Sequence, residues 1–235
     1  MHSLKRPWIN LVLAPIWFLI VIIGITTYFI GSGVQEPALP IKITEYTPTI
    51  ILFVQLLLLL TLWVTSRKEG FNVFKDGWSR QGHSSADIFC GFITGAIIAG
   101  LYLFILSDVQ TWMQANIGDY VPAGETMAAL GNQVIPFFIA NVVLAPFVEE
   151  SLYRNYALTR FSKRYGTASG IVITSVMFGL LHWVGGFWYI LMTIIFVGIP
   201  FAIIASKRGN VMWVFAAHLT LNLLEFIYIL SLKAA

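Results

Sequence analysis

From Ile9 to Ile30 the chain runs for 22 residues without a charged side chain. A helix needs about 20 apolar residues to cross the hydrocarbon core, and in lipid it is the local structure that satisfies its own backbone polar groups. The same ruler finds six further runs. The sequence predicts spans at 9–30, 48–66, 85–106, 134–160, 168–184, 187–206 and 210–231. Turn-forming or polar segments separate them: Gly31-Ser32-Gly33 with Pro37 and Pro40, Arg67 to Ser84, Ser107 to Thr126, Ser162 to Gly166, Gly185-Gly186, and Lys207 to Asn210. Pro136 and Pro146 put the fourth span in question and leave room for a separate short helix within Gly124 to Ala145. The fold expected is all-α: a polytopic membrane bundle of seven to eight transmembrane helices around a polar intramembrane cavity, with residues 1–235 forming one integral membrane domain. The first run is too long for the core of a cleavable signal peptide and lacks an A-x-A exit, so it reads as a retained span.

Composition agrees. The chain is 58% hydrophobic and 11% charged, against about 25% charged in soluble domains, and no stretch is polar enough to fold alone in water. A net charge of +3 gives no reason to expect nucleic acid. A single cysteine, Cys90, excludes an intramolecular disulfide and a cysteine-rich zinc site, and reads as a small packing residue. With the N-terminus inside, the inner segments collect Lys5, Arg6, Arg67, Lys68, Lys75, Arg80, Arg154, Arg160, Lys163, Arg164, Lys207 and Arg208, which is 12 of the 14 basic residues. Lys42 and Lys233 fall outside, and the outer segment 107–126 carries Asp108, Asp119 and Glu125 with no base. That asymmetry predicts a cytoplasmic N-terminus. Gly91, Gly95, Ala99 and Gly100 give the third span a small-residue stripe, for packing inside the bundle or for dimerisation.

Chemistry enters with Glu149 and Glu150, adjacent carboxylates in the apolar stretch Ala145 to Leu152. Ionisable groups at membrane depth are costly and mark functional sites. Of four histidines, His2 and His83 are expected to be solvated, whereas His182 and His218 fall within spans. Residues four apart share a helix face, which pairs Glu150 with Arg154, Phe178 with His182, and His218 with Asn222. At about 1.5 Å per residue, His218 lies about 12 Å and Glu149 about 16 Å from the cytoplasmic ends of their helices, and His182 about 21 Å from Ala168. Three helices therefore bring Glu149, His182, His218 and Asn222 to one level if they are neighbours.

A carboxylate in a dehydrated apolar pocket resists ionisation and becomes a better base near neutral pH. Glu149 is suited to take a proton from a water that His182 helps to hold. His218 and Asn222 are suited to donate to the oxyanion that forms when that water attacks a peptide carbonyl. No serine or cysteine has a base partner at a readable spacing. Zinc stays open as an alternative: H-E-x-x-H is absent, but Glu149, His182 and His218 are a potential His₂Glu ligand set. Structural readings stand beside these. Glu149 and Glu150 are suited to pair with Arg154 and Arg160, the histidines to pack, and Asn222 to act as interhelical glue. Phe178 reads as a pocket wall. Glu225 completes an i, i+4, i+7 stripe with His218 and Asn222, as a buried polar pair or a boundary residue. Trp183, Phe187, Trp188 and Tyr189 read as an interfacial belt, as do Trp8, Trp63 and Trp78.

Glu149-Glu150-x-x-x-Arg154, Phe178-x-x-x-His182 and His218-x-x-x-Asn222 together resemble the three-motif signature of the CAAX protease and bacteriocin-processing (CPBP, or Abi) family, which includes the type II CAAX prenyl endopeptidases. The resemblance covers the C-terminal half, with a core in 130–231. It implies an intramembrane glutamate endopeptidase with a cavity open to the cytosol. It further implies Glu149 as the water-activating base, His182 assisting, His218 and Asn222 at the oxyanion, and Glu150, Arg154 and Phe178 in support. No cofactor is implied, although a metal was once assigned to the family. The partners expected are membrane lipid and a lipidated or membrane-bound peptide, with no nucleic acid. The location expected is a prokaryotic plasma membrane. Two other classes share these residues: a non-catalytic scaffold or bacteriocin-immunity protein of the same fold, and a small proton-coupled transporter. The absence of an internal repeat counts against the transporter.

Overall fold

The computed structural model describes residues 4–78, 84–123 and 133–234. His2 and His83 lie outside those residues, as does 124–132, the first part of the segment considered for an extra helix. Among the described residues eight helices carry the fold: α1 Lys5–Gly31, α2 Leu39–Glu45, α3 Thr47–Arg67, α4 Ser85–Asn116, α5 Val134–Tyr165, α6 Thr167–Leu181, α7 Phe187–Arg208 and α8 Met212–Leu232. No strand occurs among the described residues. Six of the helices, all but α2 and α6, are long and apolar enough to cross a membrane. Their outer surfaces are apolar, with Phe104 at 75% and Ile135 at 72% exposure, a surface suited to lipid.

Three details differ from the sequence expectation. α4 continues through Ser107–Asn116, where a loop was expected; Thr111 and Asn116 there donate back to carbonyls of their own helix. α5 runs unbroken through both prolines. Pro136 falls in the first turn, where no N–H is needed, and a π-helical stretch, Phe138–Leu144, precedes Pro146 and absorbs its missing donor. α6 stops at Leu181, so its 15 residues reach about 22 Å. His182 is the residue after the helix rather than part of it. The backbone there turns through Trp183–Gly185, and Gly186 takes φ +100°, open only to glycine at low cost.

The glycine stripe of α4 packs inside the molecule. Gly91 faces the Trp213 carbonyl and Ala216, and Gly95 faces the Ala217 carbonyl and Thr220, so α4 and α8 run side by side in close contact. One main core joins α1, α3, α5 and α6 through Leu11, Val54, Leu58, Tyr153, Phe161 and Phe178. At one end of the bundle Glu69 meets Arg6 at 3.5 Å and Arg160 at 2.9 Å, and Asp87 pairs with Arg208. Trp8 and Trp78 are built into this end instead of standing as a belt: Trp8 packs edge-on against Phe161, and Trp78 stacks on Phe147 and donates to the Val73 carbonyl.

Candidate active site

α5 turns both glutamates inward, Glu149 at 3% and Glu150 at 0% exposure. They leave the helix in different directions. Glu149 reaches α3, where Gln55 donates to its Oε1 at 2.7 Å. Its Oε2 has no hydrogen-bond partner among the described residues. Glu150 opens a second π-helical stretch, Glu150–Ala157, and such wide turns gather at functional sites. Its Oε1 accepts from Arg154 at 3.1 Å and from His218 Nδ1 at 2.8 Å. The Arg154 guanidinium lies 3.9 Å over the Phe178 ring. Phe178 also touches His182 and His218, at centroid separations of 4.8 and 6.1 Å. It is therefore a wall shared by the Arg154 charge and both imidazoles.

The two histidines are oriented differently. His182 Nδ1 is 2.8 Å from the Phe178 carbonyl. A carbonyl only accepts, so the proton sits on Nδ1 and Nε2 is left as an acceptor. His218 Nδ1 donates to the Glu150 carboxylate, and its Nε2 lies 3.9 Å from Glu149 Oε2. Asn222 donates to the Asn141 carbonyl at 2.7 Å. That carbonyl belongs to the π-helical part of α5, where the widened winding leaves it to a side-chain donor. The second N–H of the Asn222 amide remains.

His182, His218, Asn222 and Phe178 line one partly open cleft of about 60 Å³ together with Tyr102, Tyr189 and Glu225. That volume exceeds the roughly 10–15 Å³ that one water needs. Tyr189 belongs to the cleft and packs on His182, not to a lipid-facing belt. The neighbouring aromatics anchor the turn before α7: Trp183 donates to the Pro15 carbonyl and Trp188 to the Gly118 carbonyl. Asp119 holds the same turn by accepting from the backbone N–H groups of Phe187, Trp188, Tyr120 and Val121. Partial burial pushes the Asp119 carboxyl up, but those four donors outweigh it and hold the group below its usual range.

The structure thus brings Glu149, Glu150, Arg154, Phe178, His182, His218 and Asn222 together. It adds Gln55, Tyr102 and Tyr189, which sequence reasoning missed. Gln55 left a signal, as the one amide in the apolar run Ile50 to Leu60. The tyrosines left none. A zinc ion needs three converging ligands, and among the described residues no three His, Cys, Asp or Glu side chains meet with that spacing. Glu149, His182 and His218 do not fit a zinc site as arranged.

Comparison with known proteins adds one finding. Residues 131–224 match the family model described as Rce1-like, type II CAAX prenyl endopeptidase. No curated protein and no solved structure matches the chain. The matched segment takes in α5, α6, α7 and the first half of α8, and so contains both glutamates, both cleft histidines and Asn222, while α1 to α4 lie outside it. Residues 131–224 are thus similar to the Rce1-like family of type II CAAX prenyl endopeptidases.

Proposed function

We propose that the protein is an intramembrane endopeptidase that hydrolyses a peptide bond of a lipidated or membrane-associated substrate with Glu149 as the base. One observation carries this reading. Glu149 is buried, fixed through one oxygen by Gln55, and has its other oxygen unpartnered 3.9 Å from His218 Nε2, a residue that lines the cleft with His182 and Asn222.

The chemistry follows from which atoms donate. A water held by Glu149 Oε2 gives that oxygen one proton as its own oxygen attacks the scissile carbonyl carbon. His182 Nε2, an acceptor, orients the second water proton. The carbonyl oxygen becomes an oxyanion, stabilised by donors already in place: the free N–H of Asn222 and Nε2–H of His218. For His218 to donate there while Nδ1–H donates to Glu150, the ring must be an imidazolium. Its charge and that of Arg154 then balance Glu149 and Glu150, and a buried carboxylate pair is tolerable only when balanced. Collapse of the tetrahedral intermediate breaks the C–N bond. The leaving nitrogen takes the proton from Glu149, giving one new carboxyl and one new amino terminus.

Glu149→Gln keeps the shape and removes the base. The expected result is loss of at least 10²–10⁴-fold in cleavage with the protein still folded. Mass spectrometry of peptide termini in cells expressing either form checks it: new termini should appear only with the wild type. Full activity in a folded Glu149→Gln protein sinks the mechanism. The same donor geometry leads us to expect no stoichiometric zinc. Elemental analysis of purified, active protein that finds about one zinc per chain would move Glu149, His182 and His218 into ligand roles.

A further inference from the structure

Glu225 is the carboxylate that lines the cleft among the described residues, and it has no role in this chemistry. It lies seven residues beyond His218 and three beyond Asn222 on α8, so all three share a face, and it lines the cleft with them. It makes no hydrogen bond or ion pair with any described residue. Tyr102 and Tyr189 stand beside it, their rings 6.2 Å apart and steeply inclined. His218, the one basic neighbour in the cleft lining, is already bonded to Glu150, and no lysine or arginine among the described residues pairs with Glu225. Lys42 is taken by Glu45 at 2.7 Å. Segment 107–123, at the same end, contains Asp108 and Asp119 and no lysine or arginine. A half-buried carboxylate with no ion-pair partner of its own among the described residues gains from a ligand that supplies one, and a cleft with acidic surroundings concentrates cations.

We propose that Glu225, between Tyr102 and Tyr189, forms a subsite for a positively charged side chain of the substrate, a lysine or arginine near the scissile bond. The site takes the cation by an ion pair to the carboxylate, with the tyrosine rings as neighbours suited to a cation. Seven helical residues rise about 10.5 Å, and an extended peptide covers about 3.3–3.6 Å per residue. The basic residue therefore stands about three positions from the bond held at His218. This inference rests on the protease reading, and the test separates the two.

The probe is a set of hydrophobic decapeptides in detergent micelles, with one lysine scanned through every position, and the same set with that lysine acetylated. Binding is measured first, to the Glu149→Gln protein, so that no turnover is required. At one or two adjacent positions the lysine peptide should bind at least tenfold tighter than its acetylated twin, and Glu149→Gln/Glu225→Gln should bring that ratio near one. Equal binding of the twins at every position, or a preference that survives loss of Glu225, overturns the subsite. Cleavage by the wild type is measured separately. A lysine preference in binding without any cleavage would retain the subsite and overturn the protease reading, whereas cleavage indifferent to the lysine would do the reverse.

Discussion

Glu149 depends on a residue from the other half of the sequence. Gln55 donates 2.7 Å to its Oε1, which fixes the carboxylate plane and leaves Oε2 as the reactive oxygen. A hydrogen bond to a charged group contributes about 1.5–3 kcal/mol. Replacing Gln55 by leucine should therefore lower kcat about tenfold or more with KM little changed, since Gln55 is not among the cleft residues. Kinetics of purified Gln55→Leu check this, and an unchanged kcat would show that the carboxylate needs no such support. The matched residues could be picked out because each motif places chemically paired types four apart on a helix. Their partners were not. Nothing in the spacing says that Glu150 serves both Arg154 and His218, or that Asn222 gives one of its two N–H bonds to Asn141. Such facts depend on which helices are neighbours, and periodicity within one helix carries no information about that.

Helices α4 and α8 show what an element can tell in advance. Gly91 and Gly95 are spaced for close approach, and the surface they meet is α8 of the same chain. A side chain at Gly95 would run into the Ala217 carbonyl and Thr220, and backbone cannot move aside cheaply. Gly100, one helical turn and a residue further on, faces nothing within 4 Å. Gly95→Leu should therefore lose about 2 kcal/mol or more, at the upper end of overpacking costs, and Gly100→Leu should stay close to wild type. Thermal unfolding in detergent distinguishes them, and a Gly95→Leu protein as stable as Gly100→Leu would mean the contact is loose. Displacing α8 also displaces His218 and Asn222, so Gly95→Leu should lose activity in step. The seven apolar runs were readable because each side chain in a span faces either lipid or a packed core, and both want apolar residues. The ends were not. α4 outlasts its apolar part through the polar segment Ser107–Asn116, and α6 ends early at Leu181 because the chain must turn to start α7. That early end is what places His182 outside regular helix, free to aim its ring by bonding the Phe178 carbonyl.

Across the whole molecule the charges sort by end. Arg6, Glu69 and Arg160 meet at one end, where Asp87 and Arg208 also pair, although they come from five distant parts of the sequence. The opposite end carries Asp119 and the turn it holds before α7. Since basic loops are retained on the cytoplasmic side, the end with Glu69 should face the cytoplasm, and the cleft, whose lining reaches Leu106 and Tyr189, should extend from the level of His218 toward the other face. Cysteine labelling tests this with little engineering, because Cys90 is the one thiol to remove. In a Cys90→Ser background, Asp108→Cys and Arg164→Cys place single thiols at exposed positions near opposite ends. A membrane-impermeant maleimide should label Asp108→Cys in intact cells, and Arg164→Cys only after permeabilisation. The opposite pattern would invert the orientation. Labelling of both in intact cells would mean that α5 does not cross, and a site built on Glu149 would then stand at the membrane surface. In that case the buried carboxylates would face bulk water, where the argument for a charge-balanced cluster of Glu149, Glu150, Arg154 and His218 no longer holds. The labelling pattern is thus a test of the mechanism as well as of the topology.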